Sequence, residues 1–269
     1  MSERAAAAAP SRTPAPASLW SLVLAAGEGT RMKSDLPKVL HEAMGRPMLA
    51  WVLDAARGAG AASQIVVVGY GAERVEAAVA APDVRFVHQR ERLGTGHAVM
   101  IARALLEEFA GSLLVLAGDT PLIEARTLSR LAGAHSASGA AATILSARFP
   151  NPTGYGRIVR SPDGDVLSIR EELDASPAEK AIDEINTGAY CFETRDLLEA
   201  LAGLRADNAK NEYYLTDTIA ILIAAGRRVE AVVAGDYKET LGVNTREALA
   251  EADALLRERR SGAVGKRGT

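Results

Sequence analysis

A chain of 269 residues with 48% hydrophobic and only 4% aromatic content can bury one large α/β core or two small ones, filled by alanine, valine and leucine. Its net charge of -3 argues against a protein that grips a nucleic-acid duplex through phosphate neutralisation, and its single cysteine, Cys191, excludes an intramolecular disulfide or a thiolate metal cluster, as suits a reducing cytoplasm. No apolar run approaches the roughly 20 residues that span a bilayer, so neither nucleic acid nor membrane is expected as a partner.

The first segment, MSERAAAAAPSRTPAPAS from Met1 to Ser18, has no apolar periodicity, and Pro10 interrupts it before any leucine-rich stretch. It is expected to be a disordered extension rather than a signal peptide. From residue 19 apolar runs alternate with helical spacing. Strands are predicted at Leu19–Ala25, Gln64–Val68, Val84–Val87 and Leu113–Ala117, with helices at Met48–Ala59, Glu73–Ala80, Ala98–Phe109 and Ala125–Ala134. Near-continuously apolar strands separated by helices indicate a parallel sheet covered on both faces. A further strand is expected at Ala141–Ala147, after which GYGRIVRSPDGDVLSIRE reads as two strands joined at a Pro-Asp-Gly turn. A strand at Glu184–Phe192, helices at Asp196–Leu204 and Thr216–Ala225, a strand at Arg228–Ala234 and a closing helix at Thr245–Arg260 complete the pattern, leaving 261–269 as a loose tail. The predicted organisation is one α/β domain over residues 19–260 whose C-terminal half bears a hairpin lobe.

Three stretches carry chemistry. LAAGEGTRMKSDLPKVL, from Leu24 to Leu40, follows the first strand with Gly27 and Gly29, which let backbone amides form an anion-binding concavity, and with Arg31 and Lys38 as fixed cations. It matches neither the dinucleotide GxGxxG nor the P-loop pattern. QRERLGTGHAV offers Gln89, whose amide presents donors and acceptors in one plane, and Gly94 and Thr95 at a strand-to-helix turn; His97 is expected to support that loop. LLVLAGDTPLI ends a strand on Asp119, at the edge where open α/β sheets bind ligands, although Asp119 could instead cap the next helix. Asn244, in ETLGVNTREAL, precedes a predicted helix and by spacing alone suits its N-cap.

Together these stretches resemble the sugar-phosphate nucleotidylyltransferases, whose signature LxxGxGTRMxxxxPKxL spans the first of them. The similarity is greatest to the uridylyltransferase domain of the bacterial bifunctional N-acetylglucosamine-1-phosphate uridylyltransferase/glucosamine-1-phosphate acetyltransferases, and extends from Leu22 to about Arg260. It implies a Rossmann-like, mixed and mostly parallel sheet of the nucleotide-diphospho-sugar transferase type with a sugar-binding lobe. It also implies transfer of a uridylyl group from UTP to N-acetylglucosamine 1-phosphate, with release of pyrophosphate and Mg2+ as cofactor. By the same resemblance Leu24, Ala25, Ala26, Gly27, Gly29, Thr30 and Gly118 line the nucleotide site, Gln89, Gly94 and Thr95 contact uracil, Arg31 and Lys38 act on the phosphates, and Asp119 and Asn244 hold the metal. NPTGYGRIVR, EELDASP, DEINTGAY and KNEYYLTD correspond in order to the sugar pocket, giving Gly156, Glu171, Asn186 and Tyr214 as contacts with Thr187 and Glu212 beside them. Two departures bear on pocket shape: Leu173, where the family often has lysine, and Ala117, where it often has a larger residue. No hexapeptide repeat of an acetyltransferase β-helix is present, so a uridylyltransferase alone is expected unless the chain is a fragment. Another hexose 1-phosphate as substrate, or a non-catalytic sugar-nucleotide sensor, are the competing readings.

Overall fold

The computed structural model of the chain describes residues 18–265; the predicted N-terminal extension through residue 17 and the last four residues lie outside them. In chain order the elements are β1 (Leu19–Ala25), β2 (Glu42–Ala43), β3 (Arg46–Pro47), α1 (Met48–Gly58), β4 (Ser63–Val68), α2 (Ala72–Val79), β5 (Val84–His88), α3 (Thr95–Met100), α4 (Arg103–Leu106), β6 (Ser112–Ala117) and α5 (Ala125–Ser138). There follow β7 (Ala142–Arg148), β8 (Arg157–Arg160), β9 (Val166–Arg170), α6 (Pro177–Lys180), β10 (Glu184–Glu193), α7 (Thr194–Leu201), α8 (Asp217–Ala224), β11 (Val229–Val233) and α9 (Arg246–Gly265).

The central strands run in the order β11-β7-β10-β6-β1-β4-β5. All are parallel except β10, which pairs antiparallel with both β6 and β7. β8 and β9 form the expected hairpin, attached to the sheet through Arg157 opposite Ile185. The alternation of elements indicates a parallel sheet; the antiparallel β10 makes it the mixed, mostly parallel sheet flanked by helices that the resemblance implies. Successive strand residues face opposite sides, so Leu22 packs in one core layer and Val23 in the other. One layer is covered by α1, α2 and α5, through residues such as Leu53, Val75 and Leu128. The other is covered by α3, α4, α7 and α8, through residues such as Val99, Leu106, Leu197 and Ile219. A smaller cluster of Ala43, Met48, Leu122, Val243, Ala252 and Leu256 docks α9 back onto the front of the domain.

Several boundaries differ from the sequence expectation. The predicted helix over Ala98–Phe109 is two short helices, because the Ala102 amide bonds the Val99 carbonyl and tightens the chain by an i to i+3 step. The helix over Ala125–Ala134 runs to Ser138 and stops at Gly139, whose φ of 60° is a left-handed helix stop. The closing helix continues to Gly265, so residues 261–265, assigned to the loose tail, are helical.

Candidate functional site

Strand order reverses at β1, which has β4 on one side and β6 on the other. A crevice therefore opens beyond the carboxyl ends of these strands, the position at which open α/β sheets bind ligands. Here it is a cleft of about 310 Å³. Its walls include Leu24, Ala26 and Gly27 from the end of β1, Gln89, Gly94 and Thr95 from the β5–α3 connection, and Lys38 and Asp119.

The glycine loop is shaped for close approach. Gly29 has φ 69°, and a Cβ there would stand 2.5 Å from Lys38 Cβ, so only glycine lets the Lys38 side chain pass. A 3-10 turn, Thr30–Met32, then buries Met32 and leaves Arg31 exposed. Ala25 turns its side chain into the core on the opposite sheet face, as strand alternation requires, so it lies beneath the cleft rather than on its wall. Gly118 holds the floor, its amide donating to the Leu24 carbonyl at 2.9 Å.

Four predicted residues from three distant segments meet at the front of the cleft. Lys38 Nζ donates to Asp119 Oδ2 and, at 2.6 Å, to Asn244 Oδ1; Arg31 Nη2 donates to the same Asn244 oxygen at 2.7 Å. The backbone repeats the connection, with the Val243 amide donating to the Asp119 carbonyl at 2.9 Å. Because the Asp119 and Asn244 oxygens both reach one nitrogen, they are close enough to share one cation. They are hard oxygen donors, a set that fits a hard divalent cation completed by further oxygen ligands. No group of three or more His, Cys, Asp or Glu among the described residues could hold a metal.

Gln89 is 7% exposed, and its Nε2 donates to the Gly94 carbonyl at 3.2 Å and to His97 Nδ1 at 3.1 Å. His97 thus supports the loop, and Gln89 Oε1 remains as an acceptor. Gly94, at φ 107°, packs against the backbone of Tyr213, and a Cβ would come within 2.5 Å of the Tyr213 carbonyl oxygen. That contact brings the 208–216 segment to the cleft, whose wall includes Glu212.

Of the remaining sugar-island residues, Gly156 and Asn186 belong to one hydrogen-bonded group and Glu171 to another. The Asn186 amide donates to the Gly156 carbonyl at 2.8 Å, Asn186 Nδ2 donates to Tyr190 Oη at 2.7 Å, and Thr216 Oγ1 donates to Glu171 Oε1 at 3.0 Å. Burial raises the Glu171 carboxyl above its ordinary pKa, with Thr216 opposing the shift. Glu171 and Tyr214 line a hollow of about 280 Å³ distinct from the cleft. The Tyr214 hydroxyl is buried with no partner among the described residues, and burial followed by the carboxylates around it pushes the phenol up to about 12. Thr187 acts on the backbone instead. Its hydroxyl donates to the Leu145 carbonyl and accepts from the Ala189 amide, holding a bulge in β10 that turns Asn186. Leu173 is 62% exposed at the surface, whereas Ala117 lies on the cleft wall, where its small side chain leaves room.

Some site residues carry no signal in the sequence. Arg92 lines the cleft and pairs with Glu28 of the glycine loop; Thr216 holds Glu171. Arg92 lies inside the QRERLGTGHAV stretch and Thr216 inside KNEYYLTD, but nothing in their spacing marks them. A larger open groove of about 1000 Å³, walled by Trp51, Leu122 and Leu256, contains none of the predicted residues.

Comparison with known proteins adds the relatives. Residues 21–215 match the family model described as the MobA-like NTP transferase domain. The chain is 52% identical over 241 residues to the bifunctional protein GlmU of Pelotomaculum thermopropionicum, covering 90% of this chain and 52% of that protein. It is 52% identical over 240 residues to that of Trichlorobacter lovleyi and 51% identical over 240 residues to that of Lactococcus lactis subsp. lactis, in each case over 89% of this chain and 52% of the relative. The chain spans about half the length of the curated relatives it matches.

Proposed function

We propose a reaction from one premise: the chain belongs to the MobA-like NTP transferase family. Transferases of this family generally use a divalent metal. The reaction we assign is uridylyl transfer from UTP to N-acetylglucosamine 1-phosphate. A phosphate oxygen of the sugar attacks the α-phosphorus in line, pyrophosphate leaves, and UDP-N-acetylglucosamine forms. The observation that carries the assignment is the meeting of Arg31, Lys38, Asp119 and Asn244 at the carboxyl ends of β1 and β6.

The attacking oxygen is already anionic, so the site needs no general base; it needs positioning and charge neutralisation. Lys38 supplies a point charge at the transferring phosphoryl group, and Arg31 a planar cation for the β- and γ-phosphates. The Gly27–Thr30 backbone wraps the triphosphate. Asp119 and Asn244 would hold Mg2+, which would supply neutralisation of charge on the phosphate oxygens.

Base choice follows from Gln89. With Nε2 committed to Gly94 and His97, the free Oε1 accepts from the N3–H of uracil, whereas cytosine carries a lone pair at N3. Gly156, Glu171, Asn186 and Tyr214 are assigned to the sugar, offering hydrogen-bonding groups and one apolar ring for an amide with its methyl. A sugar lacking the acetamide would leave such groups unpaired, at about 1–3 kcal/mol for each one buried.

The test measures pyrophosphate release from each of four NTPs against N-acetylglucosamine, glucose and glucosamine 1-phosphates. UTP with the acetylated sugar is expected to exceed the other pairs by roughly tenfold or more in kcat/KM. Equal efficiency with glucose 1-phosphate overturns the sugar assignment, and no pyrophosphate from any pair overturns the transferase reading.

A further inference from the structure

Arg246 lies two residues beyond Asn244, in the first turn of α9. Its side chain does not follow the helix axis. Nε donates to the Met32 carbonyl at 3.1 Å and Nη2 to the Lys33 carbonyl at 3.1 Å. One edge of the guanidinium therefore holds two successive carbonyls of the turn that carries Arg31, and only a planar fork of donors can do so. Lys33 has φ 48° and ψ 53°, a left-handed conformation that a residue with a side chain rarely adopts.

From these contacts we propose that Arg246 is a positioning residue that locks the Arg31 turn onto the segment bearing Asn244. The turn is then fixed at three points. Met32 is buried in the domain, Arg31 reaches forward to Asn244 Oδ1, and Arg246 reaches back from behind Asn244 to the Met32 and Lys33 carbonyls. Since the Val243 amide also bonds the Asp119 carbonyl, Arg246 closes a ring of contacts through all three segments of the site. Without it, Arg31 and Asn244 keep their chemistry but lose their common register. An Arg31 guanidinium displaced by about an ångström forfeits much of the benefit of pre-organisation.

Arg246 is largely exposed and contributes little to the core, so its variants are expected to fold. The role rests on the phosphate-binding reading above, and the experiment separates the two. Hydrogen exchange on the full chain compares wild type, Arg246→Ala and Arg246→Lys, with Arg257→Ala as a control that removes an ion pair elsewhere on α9. Amides of residues 29–34 are expected to exchange about tenfold faster in Arg246→Ala and to an intermediate extent in Arg246→Lys, with the control at the wild-type rate. Mn2+ affinity in the presence of UTP, read by electron paramagnetic resonance, is expected to fall about tenfold in Arg246→Ala. In turnover, the KM for UTP should rise more than kcat falls. Unchanged local exchange and unchanged Mn2+ affinity overturn the proposal, as does a uniform acceleration of exchange across the domain, which marks a general structural role. If wild type turns over no nucleotide, the transferase reading fails, while the exchange measurement still decides whether Arg246 is the clamp.

Discussion

Lys38 Nζ is bonded at once to a carboxylate, Asp119, and to an amide oxygen, Asn244. A cation that took those two oxygens would release the Lys38 ammonium toward the phosphoryl group beside it, where its point charge is most useful. Replacing Lys38 with alanine should lower kcat by two to three orders of magnitude, roughly 2–4 kcal/mol, while leaving UTP affinity within a few-fold. Separate measurement of kcat and of UTP binding by calorimetry checks this, and a variant that keeps most of its turnover removes Lys38 from the mechanism. If Asp119 holds Mg2+ as proposed, Asp119→Asn should lose activity at ordinary Mg2+ and regain part of it at much higher concentration, because the proposed site would lose its one formal charge. Asn244 could have been a helix cap by spacing alone. Its Oδ1 is instead occupied by Arg31 and Lys38, so Asn244→Ala should shift the Mg2+ dependence in the same sense; a variant with unshifted dependence is not a metal ligand.

Elements show the limits of local reading. The β2–β3 hairpin turns at Met44 and Gly45, with φ of 52° and 71°, and methionine is a poor signal for a left-handed position. The Met44 amide is held by Asp253 of α9 at 2.6 Å, so a residue more than two hundred positions away stabilises the turn. β4 and β5 have a similar support. Asp83 accepts from Arg57 Nε at 2.7 Å and Gln64 Nε2 at 3.1 Å, and Arg57 above all holds its carboxyl down to about 2. The ordinary value is 3.8, so the unfolded chain takes up the proton first as pH falls. The stability this carboxylate contributes is complete above about pH 4 and is lost on the way to pH 2. Allowing for partial exposure of the pair, that contribution is about 1–2 kcal/mol. Asp83→Asn should lower stability by about this amount at pH 7 and flatten the loss between pH 4 and pH 2. Urea melts at pH 7 and pH 3 measure both, and an unchanged acid limb rules the ion pair out as its cause.

At the scale of the molecule, β1 and β6 carry side chains into both core layers and also end at the cleft. Nucleotide binding there should stabilise the domain as one unit. Mg2+ and UTP at about a hundred times the dissociation constant should add roughly 2.7 kcal/mol, raising Tm by about 5–10 °C. CTP at the same concentration should raise it markedly less, because Gln89 presents an acceptor to the base. Equal shifts with UTP and CTP would refute that account of base choice.

The alternation of apolar strands and helices is a local property, legible because every strand buried on both faces must be apolar and every covering helix amphipathic. The glycine loop, the Arg31–Lys38 spacing and Asp119 at a strand end were legible for the same reason, since close backbone approach and fixed charge need particular residues at particular offsets. Spacing alone could not show that Asn244, 125 positions beyond Asp119 in the chain numbering, meets it at the cleft; only the family resemblance paired the two. Nor could spacing show that Glu212 lines the same cleft as Gln89, or that Thr187 spends its hydroxyl on a bulge. Those assignments depend on the antiparallel insertion of β10, on Gly94 packing against Tyr213 and on α9 docking through Val243 and Leu256. Hydrophobic burial drives such docking without direction, and only the assembled surface decides which polar residues it carries together.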